Sequence, residues 1–226
     1  MVMAAAGCGS VDPLAVDDAA VEPGGDAAPG GPGRRLGVDF SWDRPSPQGL
    51  RDAGYTFAVR YLSDNTTGKN LTGPEASALI AAGLAVVVNW ESGASDALEG
   101  KGRGASDAAE AVRQAAEVGA PVDRPIYFAV DFDATADQQP AIDAYFDGVA
   151  SVIGVARTGA YAGFGPLQRL FDAGKIAYGW QTYAWSGGRW DLRAQLRQVR
   201  NSVVIAGGEC DLDEAWADDF GQWGAP

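Results

Sequence analysis

Short apolar runs alternate with amphipathic segments from residue 36 onward, and the alternation is regular as far as residue 182. The run at 84–90 is almost continuously apolar, which is typical of a strand buried on both faces of a parallel sheet. The predicted strands cover residues 36–40, 55–62, 84–90, 125–130, 158–161 and 176–182. The predicted helices cover residues 47–53, 72–82, 106–118, 138–153 and 164–172. Regular strand–helix alternation predicts an α/β protein built from right-handed βαβ units.

A closed barrel and a doubly wound open sheet both fit this alternation, and two observations favour the barrel. No glycine-rich phosphate-binding sequence follows the first strand, as the common nucleotide-binding open sheets require. Polar side chains also recur where the strands end, and in a barrel such positions meet at one mouth. They are Asp39, Arg60, Asn89, Glu91, Asp131, Asp133, Tyr161, Gln181 and Asp211. We therefore predict a TIM-like (β/α) barrel.

The last third of the chain departs from the regular pattern. Residues 195–199 and 203–205 look extended, and a final candidate strand runs into residues 210–213, with short connections between them. No helical segment separates these runs. We expect the barrel to be irregular in this part.

Residues 1–33 differ in texture from the rest, being rich in Ala, Gly, Pro and Asp without apolar periodicity. Such a segment predicts a disordered leader or linker, with the barrel domain occupying 34–226. Ala5-Ala6-Gly7-Cys8 resembles the end of a lipoprotein signal, where the cysteine is lipidated. A chance Ala/Gly tail with a stray cysteine explains the same letters. We expect export, with the mature protein secreted or lipid-anchored at the cell surface.

Composition and net charge exclude several classes of partner and of catalytic site. The formal net charge of -13 disfavours nucleic acid and anionic membrane surfaces as partners. The chain has no histidine, which excludes Ser-His-Asp and Cys-His catalysis and histidine-bound zinc. No apolar window is long enough to cross a bilayer, and with one of the two cysteines in the leader a structural disulfide is doubtful. Acid–base work is left to carboxylates, Tyr or Lys.

Asp131-Phe132-Asp133 is the sharpest local feature. In an extended segment, residues two apart project to the same side, so both carboxylates are expected to face the mouth. Two neighbouring acids cannot both ionise freely, and the one that keeps its proton can serve as a general acid. A metal-binding or merely solvated acidic loop is the alternative. Asp39, Glu91 and Asp211 are candidate catalytic acids at the other strand ends. The alternative is that Asp39 caps a helix and that Glu91 and Asp211 are ordinary surface acids.

Aromatic and polar side chains at or beyond the strand ends suggest a sugar site, because pyranose rings stack their C–H faces on Trp and Tyr. Core packing is the alternative for about half of the aromatic side chains. The predicted substrate-binding residues are Arg60, Trp90, Tyr161, Gln181, Tyr183 and Trp185.

Five segments together resemble the exported glycoside-hydrolase-like barrel domain of actinobacteria, which is similar to family 25 muramidases. They are Gly37-Val38-Asp39-Phe40-Ser41, residues 126–133, Gly159-Ala160-Tyr161-Ala162, residues 179–183 and Asp211-Leu212-Asp213. The resemblance runs from about residue 36 to the C-terminus. It implies a glycoside hydrolase-like protein acting on a cell-wall or extracellular polysaccharide.

The resemblance also implies roles for four acids. Asp39 matches the first-strand acid that assists or stabilises the reaction, Asp131 the first member of an Asp-x-Glu pair, and Asp211 the acid of the last strand. Asp133 stands where the muramidases have their general-acid Glu, and its side chain is one methylene shorter. Because a misplacement of about 1 Å can cost about a hundredfold in rate, this departure puts muramidase activity in doubt. We nevertheless predict that Asp133 is the proton donor and that Asp39 or Asp131 is its stabilising partner. Glu91 is the alternative donor, from the end of the third strand.

Two other functions stay open at this point. The first is a carbohydrate-binding barrel that has lost turnover, which the shorter acid at position 133 favours. The second is a Mg²⁺- or Ca²⁺-dependent protein that uses Asp39, Asp131, Asp133 and Asp211 as oxygen ligands. For the leading hypothesis we expect a monomer with no cofactor and no metal, acting on a polysaccharide or a peptidoglycan-type glycan.

Overall fold

The computed structural model describes residues 34–224, which form a closed eight-stranded barrel. The predicted α/β, TIM-like architecture is confirmed. The predicted leader at 1–33 and the lipobox at Cys8 lie outside the described residues.

The barrel strands follow one another in chain order around the sheet. They are β1 (Arg35–Asp39), β2 (Phe57–Leu62), β3 (Ala85–Trp90), β4 (Ile126–Ala129), β5 (Thr158–Ala162), β6 (Tyr178–Thr182), β7 (Leu196–Ile205) and β8 (Gly208–Ala215). β1 to β7 are parallel, whereas β8 pairs antiparallel with both β7 and β1. The irregular last third follows from this reversal, because β7 and β8 form a hairpin that needs no crossover helix.

The two extended segments predicted at 195–199 and 203–205 are one strand. β7 is continuous from Leu196 to Ile205, with register shifts against β8 between Gln198 and Arg200 and between Arg200 and Val203. These irregularities leave extra residues on β7 opposite β8, which is why the apolar pattern breaks there.

Five helices cover the outside of the parallel part of the barrel. They are α1 (Pro47–Asp52), α2 (Gly73–Ala81), α3 (Lys101–Glu117), α4 (Gln139–Ile153) and α5 (Phe164–Asp172). Short 3-10 turns lie at Asp96–Glu99, Ala136–Gln138 and Val155–Arg157. Helix α2 is capped at its N-terminus by Thr72, whose hydroxyl accepts a hydrogen bond from the Glu75 amide at 3.3 Å.

Alternating side chains of the strands divide between two apolar layers. On β2, Phe57, Val59 and Tyr61 face the barrel interior, while Ala58 and Leu62 pack under the helices. The amino end of the barrel is filled by aromatic rings. Phe220 packs on Phe57 with 4.8 Å between ring centroids, and its carbonyl accepts a hydrogen bond from the Tyr127 hydroxyl at 2.9 Å. The interior is therefore closed at this end, and polar side chains collect towards the other.

Helix α3 begins five residues before the predicted start at 106. Gly102 and Gly104 lower the helix propensity of its first turns, so the sequence pattern did not extend there. The close packing of α3 against α4 explains why glycine stands at position 104. A Cβ on Gly104 would overlap the backbone carbonyl of Tyr145, and one on Gly148 would overlap the carbonyl of Lys101. The two helices cross with their backbones in contact at these glycines.

We expect Gly104→Ala to lower the free energy of unfolding by about 1–3 kcal/mol, the usual cost of forcing extra atoms into a filled site. Gly102→Ala is the matched control in the same helix, because a Cβ there has no neighbouring atom within 4 Å. The control should raise stability by up to about 1 kcal/mol through helix propensity. Urea unfolding of both variants measures this, and equal effects would contradict the close helix crossing.

Candidate active site

Four candidate acids meet at the carboxyl end of the barrel. Asp39 is the last residue of β1, Glu91 directly follows β3, and Asp131 follows β4 by two residues. Asp211 lies in the first half of β8 and pairs in register with Asp39. Because β8 runs opposite to the other strands, its early residues reach the same mouth where the parallel strands end.

Asp39 is the most deeply placed of the four, with 2% of its surface exposed. Its Oδ1 accepts a hydrogen bond from the Tyr61 hydroxyl at 2.6 Å, and its Oδ2 accepts one from Nε2 of Gln198 at 2.9 Å. Burial first, and then the charge of Asp211, raise the pKa of Asp39 to about 7, while these hydrogen bonds oppose the rise. Asp39 therefore exchanges its proton near neutral pH.

A fifth acid, Asp213, completes the interior of the site and was not among the predicted site residues. It is 1% exposed, and its Oδ1 accepts a hydrogen bond from the Trp180 indole at 2.8 Å. Burial and then the charge of Asp39 hold the pKa of Asp213 well above its usual range, and the two carboxyls share a hydrogen bond. Asp213 therefore holds its proton more tightly than an ordinary carboxyl does. The signal in the sequence was the i, i+2 spacing with Asp211, which places both side chains on one face of β8.

Asp131 is partly exposed at the rim of this cluster. Burial raises its pKa to about 6, with a further increase from Glu91 and an opposing effect of Lys69. The sequence argument expected a raised pKa because Asp131 and Asp133 are close together, whereas in the structure burial and then Glu91 raise the pKa of Asp131. A carboxyl with this pKa, close to solvent, can give up and recover a proton near neutrality.

Glu91 is tied to Lys69, a residue that the sequence analysis did not single out. The Lys69 ammonium lies 2.5 Å from Oε1 of Glu91 and 3.0 Å from its backbone carbonyl. It also lies 4.9 Å from the centre of the Tyr61 ring. The side chain of Glu91 is therefore held as one half of an ion pair beside Asp131.

Asp133 lies in the loop after β4 and is exposed to solvent. It is two residues beyond Asp131 along an irregular segment rather than on a strand. Asp133 is the outermost of the predicted pair, and Asp131 is the one that faces the acid cluster.

Three of the predicted substrate-binding residues point away from the barrel interior. Arg60 is buried under α2, where its guanidinium pairs with Glu75 at 2.6 Å. Trp90 is 1% exposed and belongs to the apolar layer between sheet and helices. Gln181 is fully buried and anchors the connection from β6 to β7, accepting a hydrogen bond from the Asp191 amide at 2.8 Å. Residue type alone could not distinguish the two faces of these strands.

The other three predicted substrate residues lie at the mouth or beyond it. Tyr161 faces the interior, and its hydroxyl donates to Oε1 of Gln198 at 2.9 Å. Tyr183 and Trp185 follow β6 and are 44% and 42% exposed, so their rings can meet a ligand. Trp185 has a left-handed backbone conformation with φ 55°, which is rare for a large side chain.

A groove of about 220 Å³ opens beside Asp39 and Asp211. It adjoins a second cavity of about 210 Å³ at Trp42, since Ser41 and Glu209 line both. The Trp42 ring is 60% exposed. The acid cluster is thus reached from an open cleft with an aromatic side chain at its far end.

Two further predictions concern metals and cysteines. Between residues 34 and 224 no group of three or more acidic or Cys side chains is arranged to hold a metal ion, and Asp39, Asp131, Asp133 and Asp211 do not form one. Cys210 is a buried free thiol whose pKa is raised to about 12 by burial and by Asp39 and Asp211. Cys8 lies outside the described residues. None of the helices within 34–224 has the length and apolar character that a bilayer crossing needs.

Comparison with known proteins identifies the family of this chain. The model of the Rv2525c-like, glycoside hydrolase-like domain matches residues 48–217. The chain belongs to this family. Rv2525c of Mycobacterium tuberculosis, a proposed peptidoglycan hydrolase, is 30% identical, and the match covers 77% of this chain and 78% of that protein. The resemblance inferred from the sequence is confirmed.

Solved structures agree with the assignment. The Tat-secreted Rv2525c, crystallised with L-tartrate, superposes with a TM-score of 0.79 at 30% identity, covering 84% of this chain and 98% of that one. The autolysin LytC of Streptococcus pneumoniae, in complex with a synthetic peptidoglycan ligand, gives a TM-score of 0.62 at 13% identity, covering 81% of this chain and 47% of that chain. A bacterial lysozyme from Streptomyces coelicolor gives 0.57 at 13% identity, covering 81% and 92%. At this identity the last two show the fold alone.

The buried acids make stability depend on pH. The folded-state pKa of Asp39, about 7, lies above the unfolded value near 3.8, so the native state binds more protons between these limits. The stabilising contribution of Asp39 is therefore fully present below about pH 3.8. We expect it to be lost as the pH rises from there towards 7, by at most about 1.4 kcal/mol per pH unit for this carboxyl. Urea unfolding at pH 5 and pH 7 measures the loss.

Asp39→Asn should flatten this dependence, because the amide stays neutral throughout the range. Asp133→Asn changes an exposed carboxyl and is the matched control, which should keep the wild-type dependence. A wild-type slope that survives unchanged in Asp39→Asn would show that Asp39 does not carry it.

Proposed function

We propose that the protein is a glycoside hydrolase that cleaves cell-wall glycan of the peptidoglycan type. The observation that carries the proposal is the carboxyl cluster at the barrel mouth, in which groups with raised pKa values lie beside ionised ones. Glycoside hydrolysis needs one carboxyl that donates a proton to the leaving oxygen and one that stabilises positive charge on the sugar. Asp131 at the partly exposed rim and Asp39 in the interior are placed for these two roles. Because Asp39 has the higher pKa, the reactive form, with Asp131 protonated and Asp39 ionised, is a minor part of the population.

Asp131 is the proton donor in this proposal. Its pKa of about 6 leaves part of the population protonated near neutrality, and its partly exposed side chain can reach a bound sugar. Lys69 keeps Glu91 paired and limits how far the pKa of Asp131 rises.

Asp39 is the stabilising carboxylate. It lines the groove beside Asp211, and hydrogen bonds from Tyr61 and Gln198 favour its ionised form against the effect of burial. The raised pKa of the buried Asp213 behind it disfavours a second negative charge there.

Asp133 is the alternative donor, by its match to the general-acid position of the muramidases. Its solvent exposure favours a role at the rim, where it would meet a sugar hydroxyl. A binding-only barrel is the competing function, since no proton is then needed at either position.

The relatives support the substrate class and the location. Rv2525c is a proposed peptidoglycan hydrolase and is Tat-secreted. By this relationship we infer that the present protein also acts outside the cytoplasm, on a peptidoglycan-type glycan. The monomeric state stays a prediction from the sequence.

Paired substitutions distinguish the two donors. We expect Asp131→Asn to lower hydrolysis of purified peptidoglycan by about 10²–10⁴-fold, because the amide has no proton to transfer. Asp133→Asn should lower it by less than about tenfold. Release of reducing ends across pH 4 to 8 measures both. The reverse order would move the donor to Asp133, and loss in Glu91→Gln alone would move it to Glu91.

If the wild-type protein binds peptidoglycan but releases no reducing ends at any pH in this range, the hydrolase proposal is wrong and the binding-only function takes its place. Pull-down with insoluble peptidoglycan gives the binding measurement for every variant, so loss of turnover is separated from loss of the substrate.

Exposed aromatic rings should contribute to glycan binding. We expect Trp185→Ala to weaken binding by about 2- to 10-fold, as expected for the loss of one stacking contact. Trp216→Ala is the matched control, because Trp216 is 49% exposed but follows the end of β8, at the opposite end of the barrel. Equal losses in the two variants would contradict a glycan site at the mouth.

A further inference from the structure

Gln198, a buried amide on β7, contacts four side chains of the site. Its Nε2 donates to Oδ2 of Asp39 at 2.9 Å and to Oδ2 of Asp211 at 3.1 Å. Its Oε1 accepts from the hydroxyl of Tyr161 at 2.9 Å and from that of Thr182 at 2.8 Å. An amide offers two donors and two acceptor positions, so every one is used.

The orientation of this amide follows from its partners. Two carboxylates can only accept, so the NH₂ group must face Asp39 and Asp211. On the other side, the Thr182 oxygen already accepts from the Ala184 amide at 3.2 Å, which leaves its proton for Gln198. Strands β5 and β6 thus hold the amide so that its protons point at the acids of β1 and β8.

We propose that Gln198 is a positioning residue that holds Asp39 and Asp211 in place and keeps Asp39 ionisable for the reaction. The inference deepens the proposed hydrolase function and rests on it where turnover is concerned. Gln198 acts through hydrogen bonds alone and brings no charge into a site already crowded with acids.

The strand that carries Gln198 is shaped for this role. Ser202, four residues on, has a left-handed backbone conformation with φ 58°, and its amide donates to Oδ1 of Asp211 at 2.8 Å. The register shifts of β7 begin directly after Gln198. The irregular strand β7 therefore holds both carboxyl oxygens of Asp211. Such β-bulges and strained backbone conformations are common at functional sites.

Asp39 is surrounded by other titratable groups whose effects must be separated from that of Gln198. Tyr61 faces it from β2, Tyr161 from β5, and Cys210, Asp211 and Asp213 from β8. The hydrogen bond from Gln198 favours the ionised form of Asp39, whereas burial and Asp211 disfavour it. Removing the amide donor should therefore raise the pH at which Asp39 titrates.

Gln198→Glu is the sharpest test, because it keeps the shape and the Tyr161 and Thr182 contacts but replaces the donor by a second acceptor. Gln195→Glu is the matched control on the connection before β7. The Gln195 side chain accepts a hydrogen bond from the Gly179 amide at 2.7 Å and donates one to the Ala177 carbonyl at 3.1 Å. Both contacts lie near the amino end of β6, away from the acids. Gln198→Met removes the donor without adding charge.

Two readouts are measured on the full chain. Titration of ¹³C-labelled Asp carboxyls by NMR, with Asp39 assigned from its absence in Asp39→Asn, reports the protonation of Asp39 without turnover. The pH profile of peptidoglycan hydrolysis reports its effect on the reaction. In Gln198→Glu and Gln198→Met we expect the Asp39 midpoint to move up by about one pH unit or more. kcat should fall about tenfold below that midpoint, with KM little changed.

Gln195→Glu should leave both readouts as in the wild type. An unshifted Asp39 midpoint in a folded Gln198 variant would overturn the positioning role, as would equal shifts in the Gln195 control. If Gln198→Glu does not fold, Gln198→Met decides the matter. Wild-type protein without hydrolysis would overturn the proposed function alone, because the NMR titration still tests the inference.

Discussion

The burial of carboxyl groups inside the barrel is the constraint on which the site depends. Asp39 and Asp213 are almost fully enclosed, and two ionised acids cannot be neighbours in such surroundings. The structure meets the constraint with raised carboxyl pKa values and with neutral donors from Tyr61, Gln198 and Trp180. The raised pKa values, the pH-dependent stability and the capacity for proton transfer all derive from this arrangement.

The antiparallel direction of β8 brings these carboxyl groups together. An antiparallel last strand needs only a tight turn, and it brings Asp211 and Asp213 against β1 in register. Asp211 pairs with Asp39 at the mouth, and Asp213 lies two residues deeper. A parallel eighth strand would place the same acids at the end of the strand rather than near its start.

The barrel interior has a polar carboxyl end, the mouth, and an amino end filled by aromatic rings, the floor. Phe57, Tyr127 and Phe220 fill the amino end, whereas Tyr61, Tyr161 and Gln198 line the end towards the acids. The hydroxyls of Tyr61 and Tyr161 donate hydrogen bonds at that end, to Asp39 and to Gln198. The floor gives rigidity, which a preorganised site requires.

The sequence by itself determined the order of strands and helices, the barrel and four of the acids at its mouth, because apolar periodicity and strand-end polarity are local properties. It did not determine which face of a strand each side chain takes in a closed sheet. Arg60, Trp90 and Gln181 therefore lie outside the barrel interior, whereas Asp213, Gln198 and Lys69 belong to the site. The start of α3 and the continuity of β7 likewise depended on contacts between distant segments. Protonation was decided only by the tertiary structure, since burial and neighbouring charge, not residue type, set the pKa of a carboxyl.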